Sequence, residues 1–593
     1  MNRTMGAALA ATRWLLPFAC AASAAPAFAF QIYTVGADAG CRFTSIQAAI
    51  DAAAASPGED YVWIANNQIY SGQHIVIQDQ DVIVEGGLTD CSQDKPTSVT
   101  TLHGSTSRVF DIRGTSNVEL AYLGISGGTV GDGDYGGGIR FGGSGSLTLI
   151  DTSVVGNLAG YGGGVAVQPS GAAQLTLLGS YVTLNEASHD GGGVWLGGGT
   201  TLYSDARTQI FANDTADAAG GRGGAMFIGG PATAYVTSSV HDNTAGFGGA
   251  IYTYGEVAVN LYSSDASSQV SVSRNKAAGD GGAVYLYART TAATLCAQDF
   301  ALDANSARNG TAIMTDGPHA NVRFNDPTNP CVPSGWPYPP VACTSGPGCN
   351  EIADNVSQFA DGTPADGATI RIGTSGGNTG AMWASRFAAR RNTGGSVVYT
   401  YYDAPPASGV LTTALHDCVI ADNTASWYSI ASTGDQANTV LVVDNCAVTN
   451  ESQPPGDVFL IYGHVSFIEL TNSILYNPGL YALHFASEVG TLLAQYDLLN
   501  DANGVPGTGV VAGVPSFVDA AHGDYHLQPY SAGVDVAPDD VTIDVRDDLD
   551  GHPRVVDLPA VANAYGPLDL GAYEVQSSCV AADTIFCDGF EGS

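Results

Sequence analysis

The chain has 593 residues, with 76 glycines, 57 acidic and only 20 basic residues, and a formal net charge of −37. That charge excludes nucleic acid and anionic lipid as partners, and a hydrophobic share of 45% excludes a disordered acidic chain. Abundant glycine, with aspartate far outnumbering glutamate, belongs to turns and strands rather than helices.

Residues 1–29 read as a secretory signal. Arg3 and Arg13 are basic, Trp14 to Ala25 is mostly apolar, and Ala27-Phe28-Ala29 forms an A-x-A cleavage site before Phe30. The short apolar run, interrupted by Pro17, argues against a membrane anchor, and no later segment reaches a transmembrane length. Residues 41–55 predict the one clear helix. Thr44 and Gln47 have the spacing of a capping box, and Ile46, Ala49, Ile50 and Ala53 share a face. Strands are expected at Tyr61–Ala65 and His74–Val84.

A tetrad of three small residues and an aliphatic one then recurs seven times. It stands at Gly136–Ile139, Gly162–Val165, Gly191–Val194, Gly223–Met226, Gly248–Ile251, Gly281–Val284 and Gly310–Ile313. Its third residues are separated by 26, 29, 32, 25, 33 and 29 positions. An aliphatic-x-x-Asn step precedes each later tetrad, from Val154–Asn157 to Leu302–Asn305, and continues at Ile352–Asn355 and Ile420–Asn423. After each tetrad the pattern alternates with period two, as in a strand. Ile139, Val165, Val194, Met226, Ile251, Val284 and Ile313 form an inward column; Arg140, Ala166, Trp195, Phe227, Tyr252, Tyr285 and Met314 form the outward column beside it. Short strands, an irregular period and no intervening helices define an all-β solenoid of stacked rungs, a parallel β-helix. A β-propeller blade would need about 40–45 residues. Glycine and asparagine are expected at corners that need positive φ or close backbone approach, with the asparagines bonding along their own column.

These paired marks resemble the GGAI/FxxN repeats of polymorphic outer-membrane proteins over roughly residues 100–480. Val, Ile or Leu stands where that family has Phe, and no C-terminal barrel pattern follows. The resemblance implies a right-handed parallel β-helix of the pectin-lyase-like superfold. The predicted helix would then be its N-terminal cap, with residues 30–98 holding the cap and first rungs and residues 99–509 the β-helix. Residues 316–367, rich in proline and cysteine, read as an insertion rather than a rung. Over 510–577, Gly523-Asp524-Tyr525-His526-Leu527, Asp548-Leu549-Asp550-Gly551-His552-Pro553-Arg554 and Asp569-Leu570-Gly571-Ala572-Tyr573-Glu574 resemble the closing region of secreted bacterial β-helix proteins of the choice-of-anchor Q type. An acidic tail with a cysteine pair occupies 578–593.

Removal of the signal takes Cys20 and leaves ten cysteines, an even number suited to an oxidising compartment. The expected pairs are Cys41–Cys91, Cys418–Cys446 and Cys579–Cys587, with the pairing of Cys296, Cys331, Cys343 and Cys349 left open.

A polysaccharide lyase or hydrolase needs convergent carboxylates with a base. No N-T-D, G-H-G or R-I-K string occurs, and Arg390-Arg391 reads as a surface pair at a corner. His189-Asp190, His241-Asp242 and His416-Asp417 follow the rungs and read as exposed corner residues. Asp544, Asp547, Asp548 and Asp550 form a candidate calcium site, although Arg546 falls on the first ligand position of an EF-hand frame; no other cofactor is implied. The outward aromatics Trp195, Phe227, Tyr252 and Tyr285 should stack about 4.8 Å apart, with Tyr254 and Tyr287 two residues further on. An exposed ladder of this kind offers a surface for glycans or cell-surface proteins. The expectation is therefore a secreted or outer-surface protein of a Gram-negative-type bacterium with a binding or adhesion role. The alternative is a lyase or hydrolase of the same superfold.

Overall fold

The computed structural model describes residues 30–576, apart from 265–268, 327–329, 335–349, 376–379, 404–409, 435–437, 450–456, 479–480, 486–488, 540–546 and the single positions 57, 218, 333, 464 and 503. The signal segment, Cys343, Cys349, Cys579, Cys587 and Asp544 lie outside the described residues. The chain winds into a parallel β-solenoid of about 13 turns. Ile139 is in register with Val165, Val165 with Val194, Val194 with Met226, Met226 with Ile251, Ile251 with Val284, and Val284 with Ile313. The aliphatic column of the sequence is thus a physical column, and all its members are buried. It begins earlier, at Ile75 and Phe110, and continues through Ile370, Val398 and Ile430. Each such side chain contributes about 1.5–3 kcal/mol by burial, and only stacking with neighbouring rungs completes that burial.

The corners explain the repeat. The first glycine of every tetrad has φ between +59° and +77°, a region that a Cβ disfavours. In six of the seven the second residue is a glycine that sits too close to the next rung for a side chain: a Cβ on Gly163 would lie 2.3 Å from the Glu186 carbonyl oxygen. At the corner just before the tetrads, Asn157, Asn185, Asn213, Asn243, Asn275, Asn305, Asn355, Asn392 and Asn423 form one uninterrupted ladder. Each Oδ1 accepts both the backbone N–H and the side-chain N–H of the asparagine one rung before, at 2.9–3.1 Å. Positive φ belongs to the residue before each asparagine, among them Leu184, Ala212, Arg274 and Asp422, and not to the asparagine itself. The side-chain bonds hold that turn, so its left-handed residue need not be glycine.

The helix spans Ile46–Ala54 and lays Ile46, Ala49, Ile50 and Ala53 into the core beside the first strands. Its N-cap is Ser45, whose hydroxyl accepts the Ala48 N–H, rather than Thr44. Gln47 does not close a capping box; its amide bonds both the N–H and the carbonyl of Val76. The insertion is narrower than the composition implies. Ala320–Phe324 and Glu351–Ala353 are ladder strands of the solenoid, so the excursion lies between Phe324 and Asn350 within one rung. Cys41–Cys91 and Cys418–Cys446 are bonded as expected, and Cys296 pairs with Cys331.

The closing region packs on the outside of the solenoid. It lies along the side of the last rungs, where outward residues Ala388, Val419, Ala447, Ile474 and Leu498 are apolar and pack against Phe517, Tyr525, Leu527, Leu549, Leu568 and Leu570. Fully buried Arg554 donates to Asp417 Oδ1 and to the carbonyls of Gly571 and Ala572. Arg390 reaches the Gly523 carbonyl and Tyr573 Oη. Among the described residues, no helix is long and apolar enough to cross a membrane.

Candidate binding face

The predicted aromatic column forms a continuous stack. Trp195 and Phe227 lie 6.1 Å apart with their planes 5° from parallel, Phe227 and Tyr252 at 5.9 Å and 9°, and Tyr252 and Tyr285 at 4.8 Å and 24°. Tyr254 and Tyr287 form a second row at 5.3 Å. The expected openness does not hold for the middle of the stack: Phe227 and Tyr252 are 6% exposed and Tyr285 is 7% exposed.

Two arrangements close it. Gly197 and Gly229 occupy the next outward positions, which lets the rings before them lie along the sheet: a Cβ at those sites would come within 3.1 Å of the Trp195 ring and 3.5 Å of the Phe227 ring. On the other side, the residues before each tetrad build a wall in which Asp190 registers with Arg222 and Arg222 with Phe247. Arg222 forks onto buried Asp190 at 2.8 and 2.7 Å, and its guanidinium lies 5.1 Å from the centre of the Phe227 ring and 5.5 Å from that of Tyr252. Tyr285 Oη donates to Asp316, which also pairs with Arg289. Burial pushes the Tyr252 hydroxyl up to about 12, against the pull of Arg222.

What faces solvent is a longer strip. Tyr254 is 50% exposed, while Trp195, Tyr287, Tyr135 and Tyr161 are half-buried. Tyr135 stacks on Tyr161 at 4.8 Å and meets Trp195 edge-on at the same distance. Tyr135, Tyr161 and Arg222 were legible as the column before the tetrads, a register that the inward–outward reading passed over. The strip offers ring faces, phenol hydroxyls and paired charges, and it holds no nucleophile–base pair.

Elsewhere, an open depression of about 430 Å³ is lined by Thr200, Thr201, Pro231, Thr233, Glu256 and Thr294 among others, with a single carboxylate. A denser group of acids lies on another face. Asp303 is in register with Ala353 and stands diagonally from Glu351, while Arg391 binds both Asp354 and Glu351. Burial, then Glu351, pushes the Asp303 carboxyl up to about 6.

Of the remaining predicted residues, Asp548 and Asp550 are bonded within the closing region. Asp548 Oδ1 accepts the N–H groups of Asp550 and His552, and Oδ2 accepts that of Glu574. Asp550 bonds His526, whose ring lies 3.9 Å from that of Tyr573. Asp547 is exposed, and no group of three His, Cys, Asp or Glu among the described residues is placed to hold a metal ion. Asp190, His416 and Asp417 are buried, contrary to the reading of these dipeptides as exposed corners. Arg390 and Arg391 are both engaged, one by the closing region and the other by Asp354 and Glu351.

No protein-family model matches this chain, and no curated protein is similar to it in sequence.

Proposed function

We propose that this is a secreted or outer-surface β-solenoid protein of a Gram-negative-type bacterium, right-handed and pectin-lyase-like, with a binding or adhesion role toward glycans or surface partners. The observation that carries this reading is the strip formed by Tyr135, Tyr161 and Trp195 on three successive rungs and by Tyr254 and Tyr287 on two more, joined through buried Phe227 and Tyr252 and open to solvent at its edges. Rings repeated at the rung spacing suit an extended ligand running along the solenoid axis. Trp195→Ala and Tyr254→Ala should each lower glycan or cell adhesion at least several-fold while leaving the melting curve in place. Tyr252→Ala, at a buried position, should lower stability instead. Unchanged adhesion in the first two variants would remove the basis of the reading.

The competing reading is a polysaccharide lyase or hydrolase, favoured by Asp303, whose carboxyl is held near 6 beside Glu351 and Asp354. Its weakness is Arg391, which is already spent on Asp354 and Glu351 and is not free to act as a base. Cleavage of an acidic polysaccharide that disappears in Asp303→Asn would favour it over binding alone.

A further inference from the structure

Below the aromatic stack, the same outward column carries a cluster of arginines that the strip does not use. Asp111 is in register with Arg140, one rung before Ala166 and two before Trp195. Asp111 has no exposed side-chain surface, and three guanidinium groups converge on it. Arg113 donates Nε and Nη2 to its Oδ2, Arg108 donates Nη1 to the same oxygen at 3.4 Å, and Arg140 Nη1 lies 3.6 Å from Oδ1. These contacts leave much of the donor capacity unspent. Asp111 Oδ1 accepts no hydrogen bond, the buried Arg108 Nε donates none, and Arg140 is held to its surroundings only by that ion pair. The Arg140 guanidinium lies flat over Gly142, where a Cβ would be 3.2–3.4 Å from its atoms. One further carboxylate, the well-exposed Asp134, stands 3.8 Å from Arg108.

Three other arginines are paired differently. Arg222, Arg308 and Arg391 each fork onto an aspartate of their own. Here three cations share one buried and one solvated acid, in a protein of net charge −37. A single arginine would suffice to neutralise Asp111. The other two are brought together against their mutual repulsion, and Arg113 and Arg140 keep 47% and 29% of their side-chain surface exposed. Guanidinium groups arranged in this way can bond two oxygens of a carboxylate or sulfate group at once. The distant acids of the chain are screened beyond a Debye length of about 8 Å at physiological salt.

We propose that Arg140, Arg113 and Arg108 form an oxyanion subsite for a carboxylate or sulfate group carried by a glycan that lies along the neighbouring aromatic strip. The subsite rests on the glycan-binding reading above and gives that ligand its chemical class. From Arg140 to Trp195 is two rungs, about 10 Å at strand spacing. In this column the rung between them presents Ala166, and the rings of Tyr135 and Tyr161 beside it, 4.8 and 6.5 Å from that of Trp195, continue the aromatic strip toward the arginines.

The test measures binding of a sulfated dextran oligosaccharide, an oligogalacturonate, a neutral dextran oligosaccharide and inorganic sulfate to the full chain at fixed ionic strength. The expected result is at least a ~10-fold preference for one charged oligosaccharide over the neutral one, and which of the two is preferred identifies the anion. Arg140→Gln should abolish that preference without shifting the melting curve, because Arg140 is held only by a long ion pair. Trp195→Ala should weaken charged and neutral probes alike. A preference that survives both Arg140→Gln and Arg113→Gln would overturn the assignment, as would inorganic sulfate binding as tightly as the sulfated chain. Neutral dextran bound without any preference for charge would sink the subsite alone. No binding of any oligosaccharide would sink the glycan reading with it.

Discussion

Replacing Asn243 with alanine tests the physical account of the repeat. Asn243 Oδ1 accepts the backbone N–H and the Nδ2 of Asn213, both at 3.0 Å. Its Nδ2 donates to Ile210 O, His241 O and Asn275 Oδ1 at 3.0, 2.9 and 2.9 Å. All five bonds disappear in Asn243→Ala. The Asn213 N–H is left buried without its acceptor, at a cost of about 1–3 kcal/mol, and the lost side-chain bonds add roughly 0.5–1.5 kcal/mol each where no other partner takes over. A destabilisation of about 3–5 kcal/mol follows, large against ordinary single substitutions. In a solenoid the damage should stay local, since each rung contacts only its neighbours. Denaturant titration should show a lowered first transition, and amide exchange at Asn213 should accelerate relative to that at Asn392. A loss below about 1 kcal/mol, with the Asn213 amide as protected as in the parent, would refute the view that the ladder holds this corner.

Two further predictions concern the closing region. Arg554→Met leaves Asp417 buried without its cation and should cost about 3–5 kcal/mol, seen as early proteolysis or exchange within 510–576. Adding Asp417→Asn should recover part of that loss, and a double variant no better than the single one would show that the stranded charge is not the cause. Docking of this region should also weaken as pH rises. Burial, followed by the charge of Asp535 on Asp569 and of Asp569 on Glu574, holds the carboxyls of Asp569 and Glu574 above their ordinary values, so the folded state keeps protons that the unfolded chain has released, and stability falls as pH climbs above about 4. Burial pulls the His526 imidazole down, but its bonds to Asp550 and Asp524 outweigh this and raise it. Its contribution is therefore complete below its ordinary 6.5 and lost as pH passes through the raised value. Amide exchange in 510–576, compared at pH 5 and pH 9 after correction for intrinsic rates, should show the loss; a flat or rising profile would contradict it.

The solenoid was readable because its marks are backbone requirements. A left-handed first glycine on seven rungs and an asparagine that closes a turn on nine leave the same letters rung after rung. Asn392 lacks the aliphatic-x-x-Asn mark because its step begins with Ala389, an inward core position in register with Ile352. The stacking of Trp195, Phe227, Tyr252 and Tyr285 followed from register alone. Their burial did not, because it depends on which way a ring falls. Gly197 and Gly229 decide that two positions away, and Arg222 decides it from another column. The lateral seat of the closing region did leave a signal in the apolar outward residues Val419, Ala447, Ile474 and Leu498, whose positions in the middle rungs go to polar or small residues such as Ser153, Gln209 and Ser239. The arginine cluster left no signal of this kind, since Arg108, Arg113 and Arg140 are brought together only by the stacking of two rungs.

The lateral attachment of the closing region divides the chain by how freely it can change length. Between the tetrads at Gly162 and Gly310, the corners, core and asparagine ladder of a rung meet those of the rungs above and below it, and a duplicated or deleted unit of one period re-forms them; the long-range contacts are outward ones, where Cys331 and Val332 pack on Tyr203, Tyr235 and Tyr262. From Arg390 onward the rungs are tied to residues well over a hundred positions later, through Arg390–Tyr573 and Asp417–Arg554. A unit added there would carry one partner 4.8 Å out of reach of the other. Gain and loss of repeats in descendants of this gene should therefore concentrate in the central rungs, and each such event would lengthen or shorten the aromatic strip by one step while leaving both termini untouched.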